Sequence, residues 1–131
     1  MESFRELLQS VLNQNQDIEL CIVFGSIAAG RAVPDSDLDI AVAGKQPLTG
    51  ARCLELIETF SAATGRAIDL VDLMAATGLI LKQALSTGVV VQNRDKNLYA
   101  YLISRMHFNQ ADMMPYYERT LRERRRRFLN G

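Results

Sequence analysis

Residues 25–41 read GSIAAGRAVPDSDLDIA, a Gly25-Ser26 pair followed after ten residues by Asp37-Leu38-Asp39. The residues before it, 18–24 (IELCIVF), are a dense apolar run with β-branched members that stops at Gly25, which predicts a buried strand ending in a turn. SIAAGRA then predicts a short helix, PDS a turn, and 37–43 (DLDIAVA) a second strand. Side chains alternate along a strand, so Asp37 and Asp39 point to one face with Cα atoms roughly 6.6 Å apart, and Leu38 and Ile40 take the other, buried face. A loop whose acidic residues only cap and turn accounts for Asp35 and Ser36, but not for two aspartates inside an apolar strand.

Carboxylates held that close repel and lose hydration, so the pattern calls for a counter-charge. A divalent cation supplies it, and Mg2+ suits because it is a hard ion bound by one or two carboxylates together with phosphate oxygens of a substrate. Two such ions can stabilise both the attacking and the leaving oxygen of a phosphoryl displacement. Gly25 and Ser26 fall at a strand-to-helix turn, where free backbone N–H groups and the helix dipole favour a phosphate. Gly25 allows close backbone approach and the Ser26 hydroxyl can donate to a phosphate oxygen. Arg31 either adds positive charge there or is simply solvated.

A third carboxylate is expected in residues 67–73 (AIDLVDL), which read as a third strand. Asp69 shares the face of Val71, whereas Asp72 is out of phase and nearer the strand end, where water solvates it more easily. Asp69 is therefore the expected metal ligand and proton acceptor.

Further out, Phe4, Leu7, Leu8, Val11 and Leu12 recur at three- and four-residue spacing and predict an amphipathic helix over 2–14. Residues 49–64 predict a helix with Thr49 as cap, Gly65 as stop, and Leu54, Ile57 and Phe60 on its buried side. A helix over 77–86 runs into Gly88, and Val89 to Val91 form a short fourth strand. The order is α-β-α-β-α-β-α-β, followed by helical pattern from about Asp95, with Pro115 marking a kink or break that costs an interior helix about 3 kcal/mol.

At 131 residues the chain is expected to form a single domain, 1–131, with an α/β core over 1–95 and a helical C-terminal extension over 96–131. No apolar run approaches the roughly 18 residues of a membrane span, and the start, MESFRELLQS, lacks the features of a secretory signal, so a cytoplasmic protein is expected. Cys21 and Cys53 read as reduced core residues, and with His107 they cannot supply a zinc site. His107 reads as an ordinary helix residue. Net charge is zero, yet residues 119–131 hold six arginines against one glutamate, leaving the body of the chain acidic.

Gly25-Ser26, the ten-residue gap, Asp37-Leu38-Asp39 and the later Asp69 together resemble the signature of the DNA-polymerase-beta-type nucleotidyltransferase superfamily. The small size is similar to its minimal branch, the MNT-domain antitoxins paired with HEPN-domain ribonuclease toxins. The resemblance covers roughly residues 1 to 95. It implies a mixed β-sheet of about four strands flanked by helices, Mg-ATP as donor, release of pyrophosphate, and transfer of AMP to a tyrosine hydroxyl of the toxin, which silences it. By position, it implies that Gly25 and Ser26 hold the triphosphate, that Asp37 and Asp39 bind two Mg2+ ions, and that Asp69 binds one ion and acts as base. The sequence departs from the pattern in one respect: Ile27, Ala28 and Ala29 stand before Gly30-Arg31, where many members have an arginine soon after Gly-Ser.

The C-terminal stretch contains Tyr99, Tyr101, Met106, Phe108, Met113, Met114, Tyr116 and Tyr117. Met114, Tyr117, Leu121 and Phe128 follow helical spacing beside RERRRR, consistent with a docking stripe for a partner protein or with a solvated basic helix end. Nucleic-acid binding by the arginines is disfavoured by the zero net charge and the lack of a recognised RNA-binding motif. Three functions follow from the sequence: a protein adenylyltransferase antitoxin, a non-catalytic antitoxin acting by steric cover, and a small-molecule nucleotidyltransferase of the aminoglycoside-modifying kind. The last ranks lowest, because such enzymes usually carry an added acceptor domain.

Overall fold

A computed structural model describes residues 2–31 and 36–108. The elements are α1 (Glu2–Asn13), β1 (Leu20–Phe24), α2 (Gly25–Ala28), β2 (Leu38–Ala43), α3 (Gly50–Thr64), β3 (Ile68–Asp72), α4 (Gly78–Thr87), β4 (Val89–Asn93) and α5 (Lys96–Phe108). The expectations for Pro115, the aromatic and methionine stripe beyond Phe108, and the arginine run lie outside the described residues.

The strands form one mixed sheet in the order β3-β2-β1-β4. β1 pairs antiparallel with β2 and β4, while β2 and β3 run parallel. A parallel pair cannot be closed by a hairpin, and α3 provides the crossover that carries the chain back to the start of β3. Helices cover both faces. Leu20, Ile22, Phe24 and Ala41 pack with Leu81 of α4 and Leu102 of α5, whereas Cys21, Val23, Ile40 and Val42 pack with Leu8 and Leu12 of α1 and Leu56 and Phe60 of α3. Every residue of β1 is buried, which explains its unbroken apolar run: a strand covered on two sides needs apolar side chains at odd and even positions alike.

Helix α3 starts and stops where its local chemistry directs. The Thr49 hydroxyl oxygen accepts from the Arg52 amide at 3.1 Å, and Gly65 ends the helix in the left-handed region at φ 70°. Its buried face differs from the expected one. Leu56 and Phe60 are fully buried, but Leu54 is 63% exposed, because two residues along a helix turn the side chain about 200° from Leu56. Leu7 of α1 is likewise 40% exposed, on the outer flank of the stripe formed by Leu8, Val11 and Leu12.

Cys21 and Cys53 are free thiols. Burial pushes the Cys21 thiol up to about 12, so it behaves as a small apolar side chain. Arg105 of α5 is also buried, with its guanidinium donating to the carbonyls of Leu73, Met74 and Ala76. That clamp fastens α5 to the turn after β3. Among the described residues no helix is long and apolar enough to cross a membrane.

Candidate active site

The sheet brings the separate acidic motifs together at one end. β1 finishes at Phe24, whose register partner on β2 is Asp39. Asp39 in turn lies beside Asp69 in the parallel pairing of β2 with β3. Neighbours in register point to the same side of a sheet, so Asp39 and Asp69 share the face that carries Ala41 and Val71. Leu38 and Ile40 are fully buried on the opposite face, as the alternation predicts.

Gly25 turns the chain out of β1 with φ 77°, and a β-carbon there would overlap Asp39 Oδ2. Glycine is thus required twice: the backbone conformation penalises other residues, and the space belongs to the carboxylate. α2, which follows, is a single turn without a side-chain cap. So short a helix has few aligned peptide dipoles, and an anion placed there would be held by individual N–H groups more than by a macrodipole. Ser26 is half-buried, and its carbonyl accepts from the Arg31 amide at 2.8 Å. The Arg31 residue itself is exposed beyond that turn.

Electrostatics single out Asp39. Its carboxyl is held above the usual carboxylate range, first by burial, then by hydrogen bonding with Asp69, and then by the negative charges of Asp69 and Asp37. The cross-strand partner Asp69 therefore couples to Asp39 more directly than Asp37, its neighbour along the chain. Asp37 precedes the first paired residue of β2 and is exposed. Among the described residues no three acidic, histidine or cysteine side chains form a ready-made ligand cluster. The arrangement is an apposed pair, Asp39 and Asp69, with the third carboxylate, Asp37, at its margin. Its donors are all hard oxygens, two on neighbouring strands and one just before β2, a set that fits Mg2+ and does not suit softer metals.

Asp72, the other acidic residue of β3, is committed elsewhere. Its two carboxylate oxygens accept from the Leu48 and Met74 amides at 2.8 and 3.0 Å, tying two loops together. The sequence set it apart from Asp69 by phase and by a solvated place near the strand end; instead it is half-buried on two amides, which the sequence did not show because Leu48 lies 24 residues away. Arg66 was not anticipated at all. Its guanidinium donates to the Ser36 carbonyl at 2.9 Å, next to Asp37, and only its position directly before AIDLVDL hints at this.

At the other end of the sheet a cavity of about 410 Å³ is lined by Asp17, Gly44, Leu48, Thr49 and Arg52 among others. Arg52 is already engaged there by Asp17, Asn15 and Glu55. None of the apposed carboxylates lines it.

The family described as Polymerase beta, Nucleotidyltransferase matches residues 6–97. Protein adenylyltransferase MntA of Shewanella oneidensis is 32% identical over 71 residues, which are 54% of this chain and 51% of MntA. The match thus spans about half the length of that curated relative. Among solved structures, a toxin-antitoxin with AMP-PNP has a TM-score of 0.71 at 24% identity, covering 89% of this chain and 98% of that one. The tri-AMPylated Shewanella oneidensis HEPN toxin in complex with MNT antitoxin gives a chain with a TM-score of 0.66 at 24% identity, covering 92% and 98%. At these identities the structural likeness establishes a shared fold.

Proposed function

We propose, from the premise that this chain belongs to the polymerase beta nucleotidyltransferase family, that it is a protein adenylyltransferase acting as the antitoxin of a HEPN-type ribonuclease. ATP is the donor, a tyrosine hydroxyl of the toxin is the acceptor, and pyrophosphate leaves. The observation that carries this reading is the apposition of Asp39 and Asp69 across the parallel strands, beside a bend that only glycine can make. The names of the relatives support a HEPN protein as acceptor: MntA is called a protein adenylyltransferase, and a similar chain accompanies an AMPylated HEPN toxin.

In this reading Asp37, Asp39 and Asp69 hold two Mg2+ ions. Bound metal supplies charge neutralisation on the phosphates. The Gly25 backbone lets the triphosphate approach, the Ser26 hydroxyl donates to one of its oxygens, and Arg31 adds positive charge. Asp69 takes the proton of the attacking hydroxyl. The hydroxyl oxygen bonds to the α-phosphorus as the bond to pyrophosphate breaks, its electron pair leaving with pyrophosphate. In this reading residues 1–95 make up the catalytic core, and α5 (Lys96–Phe108) opens the C-terminal extension. The reaction belongs in the cytoplasm, where Mg-ATP is plentiful.

Incubating the protein with Mg-ATP and a HEPN partner, then weighing the partner, tests the proposal. A gain of one or more AMP units is expected. Asp37→Asn with Asp39→Asn should slow transfer by ~10³-fold or more. Neutralisation of the toxin that survives this double change, without any gain of mass, would instead identify steric cover.

A further inference from the structure

Asp37 lies one residue outside the ladder of β2, so the hydrogen bonds of the sheet do not fix its backbone directly. Two other bonds do. The peptide group before Asp37 is held through the Ser36 carbonyl, which accepts from Arg66 Nη1 at 2.9 Å. The group after it is held through the Leu38 amide, which donates to the Ala67 carbonyl at 2.9 Å. Adjacent residues of the connection between α3 and β3 thus grip the chain on both sides of Asp37. Arg66 is seated in turn: its guanidinium carbon stands 5.4 Å from the centre of the Phe4 ring on α1, within cation–π range.

We propose that Arg66 is a positioning residue for Asp37, setting where this carboxylate meets the metal by holding the Ser36 carbonyl against the α3–β3 connection and the Phe4 ring. The inference rests on the proposed metal-binding role of Asp37. Arg66 touches neither substrate nor metal in this arrangement. A planar guanidinium held over an aromatic ring presents its N–H groups in fixed directions, which a lysine ammonium cannot reproduce. Outer partners of metal ligands typically change affinity ~10- to 100-fold when removed.

The test compares the wild type with Arg66→Met, Arg66→Lys and Phe4→Leu. Uptake of Mn2+ with a non-hydrolysable ATP analogue is followed by water-proton relaxation, and amide hydrogen exchange is followed at Asp37 and Leu38. Arg66→Met should bind Mn2+ ~10-fold or more weakly, with faster exchange confined to those amides and transfer restored at saturating Mn2+. Arg66→Lys should recover part of the affinity, and Phe4→Leu should shift it in the same direction by less. Should Arg66→Met fail to fold, Arg66→Lys and Phe4→Leu carry the test. Wild-type affinity and wild-type exchange in folded variants would overturn the role of Arg66 while leaving the nucleotidyltransferase reading intact. A wild-type protein that takes up no Mn2+ with the analogue would overturn that reading, and this inference with it.

Discussion

At the residue scale, Asp69 and Asp72 stand three positions apart on one strand and do different work. Asp69 faces Asp39 and adds negative charge to a crowded site, whereas Asp72 satisfies two backbone amides with its two oxygens. Opposite responses to substitution follow. Asp69→Asn should lose ~10³-fold in transfer rate and keep the melting temperature of the wild type or exceed it, because it relieves repulsion. Asp72→Ala leaves the Leu48 and Met74 amides without their acceptor and should cost about 1–3 kcal/mol of stability, while a protein kept below its melting temperature still transfers AMP. Denaturant melts combined with partner mass analysis check both. The period of the strand was enough to prefer Asp69. Nearness to the strand end suggested water around Asp72, where two backbone amides stand instead.

At the scale of elements, α3 shows how a spacing can be read in the wrong phase. Leu54, Leu56, Ile57 and Phe60 offer more than one three-and-four pattern, and the sequence does not say which flank meets the sheet. Packing against β2, β3 and α1 selects Leu56 and Phe60. Leu56→Ala should therefore cost about 2–5 kcal/mol, as deletions from a closed core do. Leu54→Gln, on the exposed side, should stay within about 0.5 kcal/mol. Urea unfolding of the two variants distinguishes these outcomes. Caps, by contrast, are local and were legible: Thr49 and Gly65 bound α3 by contacts within four residues of themselves. The Arg105 clamp of α5 was not legible, because its acceptors lie about thirty residues back in the chain.

At the scale of the whole molecule, two acidic residues at opposite ends of the sheet respond to pH with opposite sign. The Arg52 guanidinium, hydrogen-bonded to Asp17, holds that carboxyl below its ordinary value. Its contribution is present above the unfolded value and is lost as pH falls through the folded one, and at a half-exposed pair it is small. Asp39 is raised, so its contribution is complete below the unfolded value of about 3.8 and is lost as pH rises through the folded value. The metal-free protein is thus held back at neutral pH by the carboxylates of its candidate site. Metal-free Asp39→Asn should melt higher than the wild type at neutral pH, with the difference vanishing in acid. Adding Mg2+ and a nucleotide should raise the melting point of the wild type and leave that of the variant unchanged. Calorimetry across pH reads both effects.

What the amino-acid order determined by itself was what has a short reach: the alternation of elements, the caps of α3, the bend at Gly25, and the burial of Leu38 and Ile40 on the face opposite Asp39. The same local evidence preferred Asp69 to Asp72 as the candidate third carboxylate. Only the tertiary structure decided which strands are neighbours, and with that the closer coupling of Asp39 to Asp69 than to Asp37, the commitment of Asp72 to two loops, and the grip of Arg66 on the chain before β2. The physical reason is that these contacts join residues brought side by side by strand order and helix packing. No spacing along a single chain encodes a distance between two elements until burial of both sheet faces has chosen how they meet.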